Sequence, residues 1–188
     1  MKKQTIEEIV KQYLKIYPEE QNRIDPLQKY LTFENQNKIC DWNNVNGHLT
    51  AGGFIYSKVS KRFLVLWHKD LKMFLYPGGH CEDYQYSPLD TAKNEVVEET
   101  GIKKFNTLNI NDNELVPIDI DIHMIPYNTR INMPEHYHFD FRYLFVVDDE
   151  ENVVIDENEL SSYKWIDSEQ LKQNINYGNI LNKIEKYL

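Results

Sequence analysis

Cysteine is scarce: only Cys40 and Cys81 occur in a chain of 188 residues. Two thiols cannot build a disulfide framework, and they suit a reducing compartment. Apolar runs are short, none approaching the ~18 residues of a membrane span. The N-terminus opens on charged residues rather than an apolar signal segment. The expectation is a cytoplasmic chain with no membrane partner. Positive charge is also limited, with 21 Lys and Arg against 30 Asp and Glu and a net charge of −9. Such a field repels polyanions and argues against extended nucleic-acid binding. An anionic substrate then needs local help, which carboxylates provide once they hold a divalent cation. Apolar and aromatic side chains are plentiful, at 41% and 13%, including 13 Tyr. At this length they predict one folded domain with at most a modest extension.

Along the chain, Thr5-Ile6-Glu7-Glu8 reads as a capping box ahead of Ile9, Val10, Tyr13 and Leu14 at helical spacing. A second helix is expected to start at Asp25-Pro26, since Asp caps and Pro suits the first turn. An Asn-rich connector follows at 38–48. Short strands are predicted at 49–56, 62–67 and 73–76, with Pro77-Gly78-Gly79 as a breaker. A helix is predicted over 88–100 with Gly101 as its C-terminal stop. Beyond it lie strands at 115–125, 136–147 and 162–166, an acidic loop at 148–159, and helices near 168–173 and 177–188. Strands and helices intermix without regular alternation, which indicates a mixed α+β or sandwich arrangement.

In the 88–100 helix, Leu89, Ala92, Val96 and Val97 share one face, while Glu95, Glu98 and Glu99 fall within roughly 100° beside it. Like charges at i, i+3 and i+4 oppose helix formation, so they form either a tolerated solvated face or a cation site. Hard oxygen donors of this kind select Mg2+, Mn2+ or Ca2+.

The stretch from Gly79 to Ile102 resembles the Nudix box, G-x5-E-x7-R-E-U-x-E-E-x-G-U with U apolar. Glu95-Val96-Val97-Glu98-Glu99-Thr100-Gly101-Ile102 matches the second half without a gap. Two members depart from the pattern: Tyr86 stands at the position of the first Glu, one residue late, and Asn94 at that of the Arg. The resemblance implies a Nudix-type α/β/α sandwich with a mixed sheet over 45–188, preceded by a helical extension at 1–44. It implies a Mg2+- or Mn2+-dependent hydrolase in which the Gly78 carbonyl and Glu95, Glu98 and Glu99 hold the metal. The substrate would be a nucleoside diphosphate linked to another moiety, cleaved at a phosphoanhydride bond. Glu82 is a further carboxylate in the glycine loop, and Glu157 and Glu159 are candidate bases.

A second constellation lies outside that box. His136, His138, Asp140 and Arg142 alternate with Tyr137, Phe139, Phe141 and Tyr143, so a strand puts the four polar groups on one face and the aromatics in the core. Upstream, Asp119, Asp121 and His123 alternate with isoleucines. Antiparallel pairing through the loop at 126–134 is expected to set His123 near His136 and Asp121 near His138. Such a face binds substrate phosphates, holds a second metal, or is merely the outer side of a half-exposed sheet. His80 would bridge it to the acidic helix.

Trp67 and Trp165 are expected in the core, Trp42 at a pocket, and Cys81 as a bystander. The N-terminal helices are open to two uses, covering the pocket or forming a homodimer contact. The alternatives to the enzyme are a non-catalytic Nudix-fold nucleotide-binding or regulatory module, suggested by Tyr86 and Asn94, and a structural metal protein centred on the histidines.

Overall fold

The computed structural model describes residues 1–34, 38–129, 132–173 and 177–188. Helices α1 (Lys3–Ile16) and α2 (Gln21–Phe33) come first, linked by a 3-10 turn at Pro18–Glu20. Strands β1 (His48–Ser57), β2 (Phe63–His68), β3 (Met73–Leu75) and β4 (Gly78–His80) precede α3 (Pro88–Thr100). Then come β5 (Asn106–Thr107), β6 (Asp119–Ile125), β7 (His136–Val147), β8 (Leu160–Ile166), α4 (Ser168–Lys172) and α5 (Gly178–Ile184).

One mixed sheet carries the fold. Strands β1 and β7 run parallel at its centre, from His48 opposite His138 to Ser57 opposite Val147. On its other side β1 pairs antiparallel with β4 near one end and with β2 near the other. In the same way β7 pairs with β6 and then with β5. The sheet therefore forks around its central pair. Leu49, Ala51, Phe139, Phe141 and Phe145 join Ile6, Ile9, Tyr13, Leu27, Leu89 and Val96 in one core, with α1, α2 and α3. Phe54, Tyr56, Phe63 and Leu144 join Leu171, Ile180, Leu181 and Ile184 in another, against α4 and α5. Helices thus cover both faces in an α/β/α sandwich.

Along the α4–α5 face, β1 and β7 change character. Near their C-terminal ends the side chains are Phe54, Tyr56 and Leu144; near their N-terminal ends they are His48, Thr50, His138, Asp140 and Arg142. Apolar helices cover the first half, and the polar half lines a cavity.

Several local expectations change. Helix α1 begins at Lys3, with Lys2 in the cap position and no side-chain cap, so the Thr5 capping box does not form. Helix α2 starts at Gln21 and carries Pro26 inside it. The fully buried Ile24 and Leu27 hold that segment against the core, offsetting the backbone bond that Pro26 cannot make. The 77–79 breaker is half right: Gly78–His80 forms a strand, because Gly52 and Gly78 face each other and let the backbones approach. The 115–125 strand begins only at Asp119, after Pro117. Strands β6 and β7 pair two residues away from the expected register, with His123 opposite His138 and Asp121 opposite Asp140. A slip of two keeps every side chain on its face. In the loop at 126–134, residues 130 and 131 lie outside the described residues. Tyr137, expected in the core, is 38% exposed near the start of β7.

Candidate functional site

Helix α3 forms where expected. Ser87 and Asp90 make a reciprocal capping box, Pro88 occupies the first turn, and Gly101 ends the helix at φ +71°. Burial of Leu89, Ala92 and Val96 against β1 and β4 fixes its rotation. That rotation brings Glu95 and Glu99, both half-buried, to the glycine strand, and leaves Glu98 exposed.

Glu99 Oε2 accepts the Gly78 N–H at 3.3 Å. The Glu95 carboxylate lies against Gly79 so closely that a Cβ there would overlap it. Burial first, then the charge of Glu98, pushes Glu95 up to about 7. Burial and the charge of Glu95 push Glu99 up to about 8, against the Gly78 hydrogen bond. Glu159 adds to both shifts, Glu82 to that of Glu95 and Asp156 to that of Glu99. Among the described residues none of the ion pairs reaches Glu95, Glu98 or Glu99. Crowded oxygen donors that resist ionising together and lack a cation fit a hard divalent ion.

Strand β4 is the wall between this flank and the cavity. A side chain at Gly79 would point toward Glu95, and the backbone of Gly78 and Gly79 lines the cavity of about 620 Å³ together with His80. Across the sheet, Thr50 stands opposite His80 and Asp140, and Asp140 opposite Asp121. The next row is His48, His138 and His123. All six histidines of the chain line the cavity, His68 and His136 included.

Arg142 is buried and fully engaged: Nε bonds Asp140 Oδ2 at 3.0 Å and the Tyr76 hydroxyl at 2.9 Å, and Nη2 bonds Asp121 Oδ2 at 2.7 Å. Tyr76 also donates to Asp140, and Thr50 donates to Asp140 Oδ1 at 3.2 Å. His123 Nδ1 lies 2.9 Å from Asp121 Oδ2. The Asp-Arg network therefore reaches the imidazoles through Asp121 and His123. Burial, then neighbouring imidazoles, pushes His48 down to about 4 and His138 down to about 2, and His80 is lowered for the same reasons.

His80 does sit between the two regions. Its ring centroid lies 4.9 Å from that of His48 and 5.3 Å from that of His138, and Glu82 and Glu159 act on it from the acidic side. Sequence reasoning missed His48 and Tyr76. Strand β1 is buried along its whole length, so alternation never marks His48 as belonging to a polar face. Trp42, 53% exposed, stands at the cavity, Trp67 and Trp165 are partly buried, and Cys81 is a buried thiol whose pKa burial raises.

A sandwich with an acidic helix packed on a glycine strand is the architecture of the Nudix class. The NUDIX domain family model matches residues 47–184, and the chain belongs to that family. A probable DHNTP pyrophosphohydrolase of Lactococcus lactis subsp. cremoris (strain MG1363) is 36% identical over 110 residues, 57% of this chain and 59% of that protein. The match thus spans less than two thirds of that relative's length. Two solved structures share the fold. A C. elegans Ap4A hydrolase binary complex has a TM-score of 0.57 and 18% identity, over 74% of this chain and 96% of that one. The E. coli dihydroneopterin triphosphate pyrophosphohydrolase has a TM-score of 0.56 and 17% identity, over 74% and 93%.

Proposed function

We propose that this chain is a Mg2+- or Mn2+-dependent pyrophosphohydrolase. Its substrate is a polyphosphate ester of a nitrogen heterocycle, such as a nucleoside diphosphate linked to another moiety. The observation that carries the reading is the pair Glu95 and Glu99, half-buried beside Gly78-Gly79, in no ion pair among the described residues, and raised to about 7 and 8. Family membership supports it, and so do the names of the similar proteins, which specify DHNTP, dihydroneopterin triphosphate and Ap4A.

Gly78, Glu95, Glu98 and Glu99 would hold the ion. When bound, a divalent cation offsets phosphate charge and makes a coordinated water more acidic. The protein's own groups do the rest. The Gly78 N–H orients Glu99, and the absence of a side chain at Gly79 leaves room for Glu95. Glu159, whose charge bears on both carboxylates, is our candidate to take the proton of the attacking water. Tyr76, Trp42, Leu71 and Met73 offer apolar and aromatic surface to a heterocycle in the cavity.

Tyr86 and Asn94 favour a second reading, a binding module without turnover. Phosphate and pyrophosphate release from a panel of nucleoside and pterin polyphosphates, with Mg2+ and with Mn2+, separates the two. Turnover that Glu98→Gln abolishes, with melting unchanged, supports the enzyme. Tight binding with no release under any condition refutes it. Three lesser proposals accompany this one: cytoplasmic placement, a homodimer, and residues 1–44 as a helical extension of a 45–188 domain.

A further inference from the structure

We propose that the imidazoles of His48, His136 and His138 bind one divalent first-row transition-metal ion of the Zn2+ kind, on the cavity side of β4 and apart from the acidic flank of α3. One nitrogen from each ring lies within 4.8 Å of the other two, the only such group of potential metal ligands among the described residues. His48 Nε2 and His138 Nε2 are 3.0 Å apart. Around an ion with bonds of roughly 2.0–2.1 Å in tetrahedral geometry, neighbouring nitrogens stand about 3.3 Å apart. One pair is therefore already near ligand spacing, and a ring rotation of His136 supplies the third.

Two features of the surroundings point to a ligand rather than to mere ring packing. His136 Nδ1 lies 2.7 Å from the Pro134 carbonyl, which can only accept. Nδ1 therefore carries the hydrogen, and the Nε2 lone pair is the free one, as in a histidine oriented for metal by its outer partner. Secondly, His48 Nδ1 is buried with no partner at hydrogen-bonding geometry, the Asn44 backbone being the polar group that acts on the ring.

The donor chemistry separates this site from the other one. Three imidazole nitrogens select Zn2+, Co2+ or Ni2+, whereas Mg2+ demands oxygen. Asp140 lies on the same face but its oxygens are taken by Thr50, Tyr76 and Arg142, which leaves a nitrogen donor set. The three rings line the cavity, and the His80 ring lies beside that of His48, centroid to centroid 4.9 Å.

The full-length protein, stripped with a chelator, is titrated with Zn2+ alone by calorimetry and with Co2+ alone by visible absorption. One equivalent of each is expected, with the intense Co2+ bands of a low-coordinate site. His48→Gln and His136→Gln should each weaken binding by more than the roughly 10–100-fold seen on losing an outer-shell partner. Glu98→Gln should leave it unchanged. Absence of stoichiometric binding in the wild type overturns the site, whether or not the histidine variants fold. Binding that survives both histidine changes in folded protein, or that vanishes with Glu98→Gln, overturns it equally. Zn2+ binding without phosphate release sinks the enzymatic reading alone, and phosphate release without Zn2+ binding sinks this one alone.

Discussion

His48 and His138 face each other across parallel strands β1 and β7, Nε2 to Nε2 at 3.0 Å. Two ring nitrogens at that distance can share one proton but cannot both carry one, so this contact is incompatible with two imidazolium ions. The pair lies in a row with His123 and next to the row of His80, Thr50, Asp140 and Asp121. Four strands thus bring one polar face to one cavity, while Glu95 of α3 lies against Gly79.

The acidic flank makes the apo protein sensitive to alkali. In chelator, Glu99 holds its proton up to about 8 in the folded state but releases it near 4.5 when exposed. The stability that this group contributes is therefore full below pH 4.5 and is lost as pH rises through 8. Glu99→Gln should melt above the wild type at pH 8 and level with it at pH 4.5, by calorimetry in chelator. An apo wild type that gains stability from this group between those values contradicts the burial of Glu99. With Mg2+, the same variant should lose turnover by at least about 100-fold, as loss of several kcal/mol of transition-state stabilisation requires.

Asp119 ties the N-terminal helices to the free edge of β6. Its Oδ1 meets Arg23 Nη2 at 2.6 Å and Lys183 Nζ at 2.7 Å, and Tyr13 donates to it at 3.3 Å. Burial opposes its charge, but Lys183, Arg23 and Arg142 outweigh burial and hold the carboxyl below its ordinary range. That stabilisation is present above about pH 3.9 and fades as pH falls through the depressed folded value. Asp119→Asn leaves the buried Lys183 with Glu20 as its remaining carboxylate partner and should cost about 1.5–3 kcal/mol in urea unfolding at pH 7, the worth of a hydrogen bond to a charged group. Arg23→Ala should cost less, since its side chain is 36% exposed. Equal effects would show that α1 and α2 are held by something other than this cluster.

Gly79→Ala places a methyl group into the Glu95 carboxylate without straining the backbone. Displacing a ligand group by about 1 Å costs on the order of 100-fold in rate. Steady-state kinetics should register that loss in kcat, with secondary structure by circular dichroism unchanged. Full activity in the alanine variant would remove Glu95 from the site.

Tyr86 and Asn94, the departures from the family pattern, are both exposed. Replacing them together, Tyr86→Glu with Asn94→Arg, should shift stability by no more than about 0.5 kcal/mol, as surface changes usually do. A larger loss in denaturant titration would mean that one of them supports α3 in a way its exposure hides.

Much of this architecture was legible locally. Ser87-Pro88 through Gly101 carry start, stop and face of α3 within one segment, because capping and helical periodicity depend on near neighbours. The alternation in 136–147 likewise marked β7 and its polar side. The acidic triad was readable for the same reason, although only packing shows that Glu98 stays in solvent while Glu95 and Glu99 do not.

Register escaped, since a two-residue slip between β6 and β7 leaves every hydrophobic side chain on its face and so leaves the pattern unchanged. His48 escaped because parallel pairing with β7 is a contact across 90 residues, and a strand buried on both sides shows no alternation. Sequence periodicity, then, determined the helices, the strands and which residues share a face, all of them short-range properties of the backbone. The convergence of six histidines on one cavity, and of Tyr13, Arg23 and Lys183 on Asp119, was decided only by tertiary packing, where burial selects among registers and topologies that local geometry permits equally.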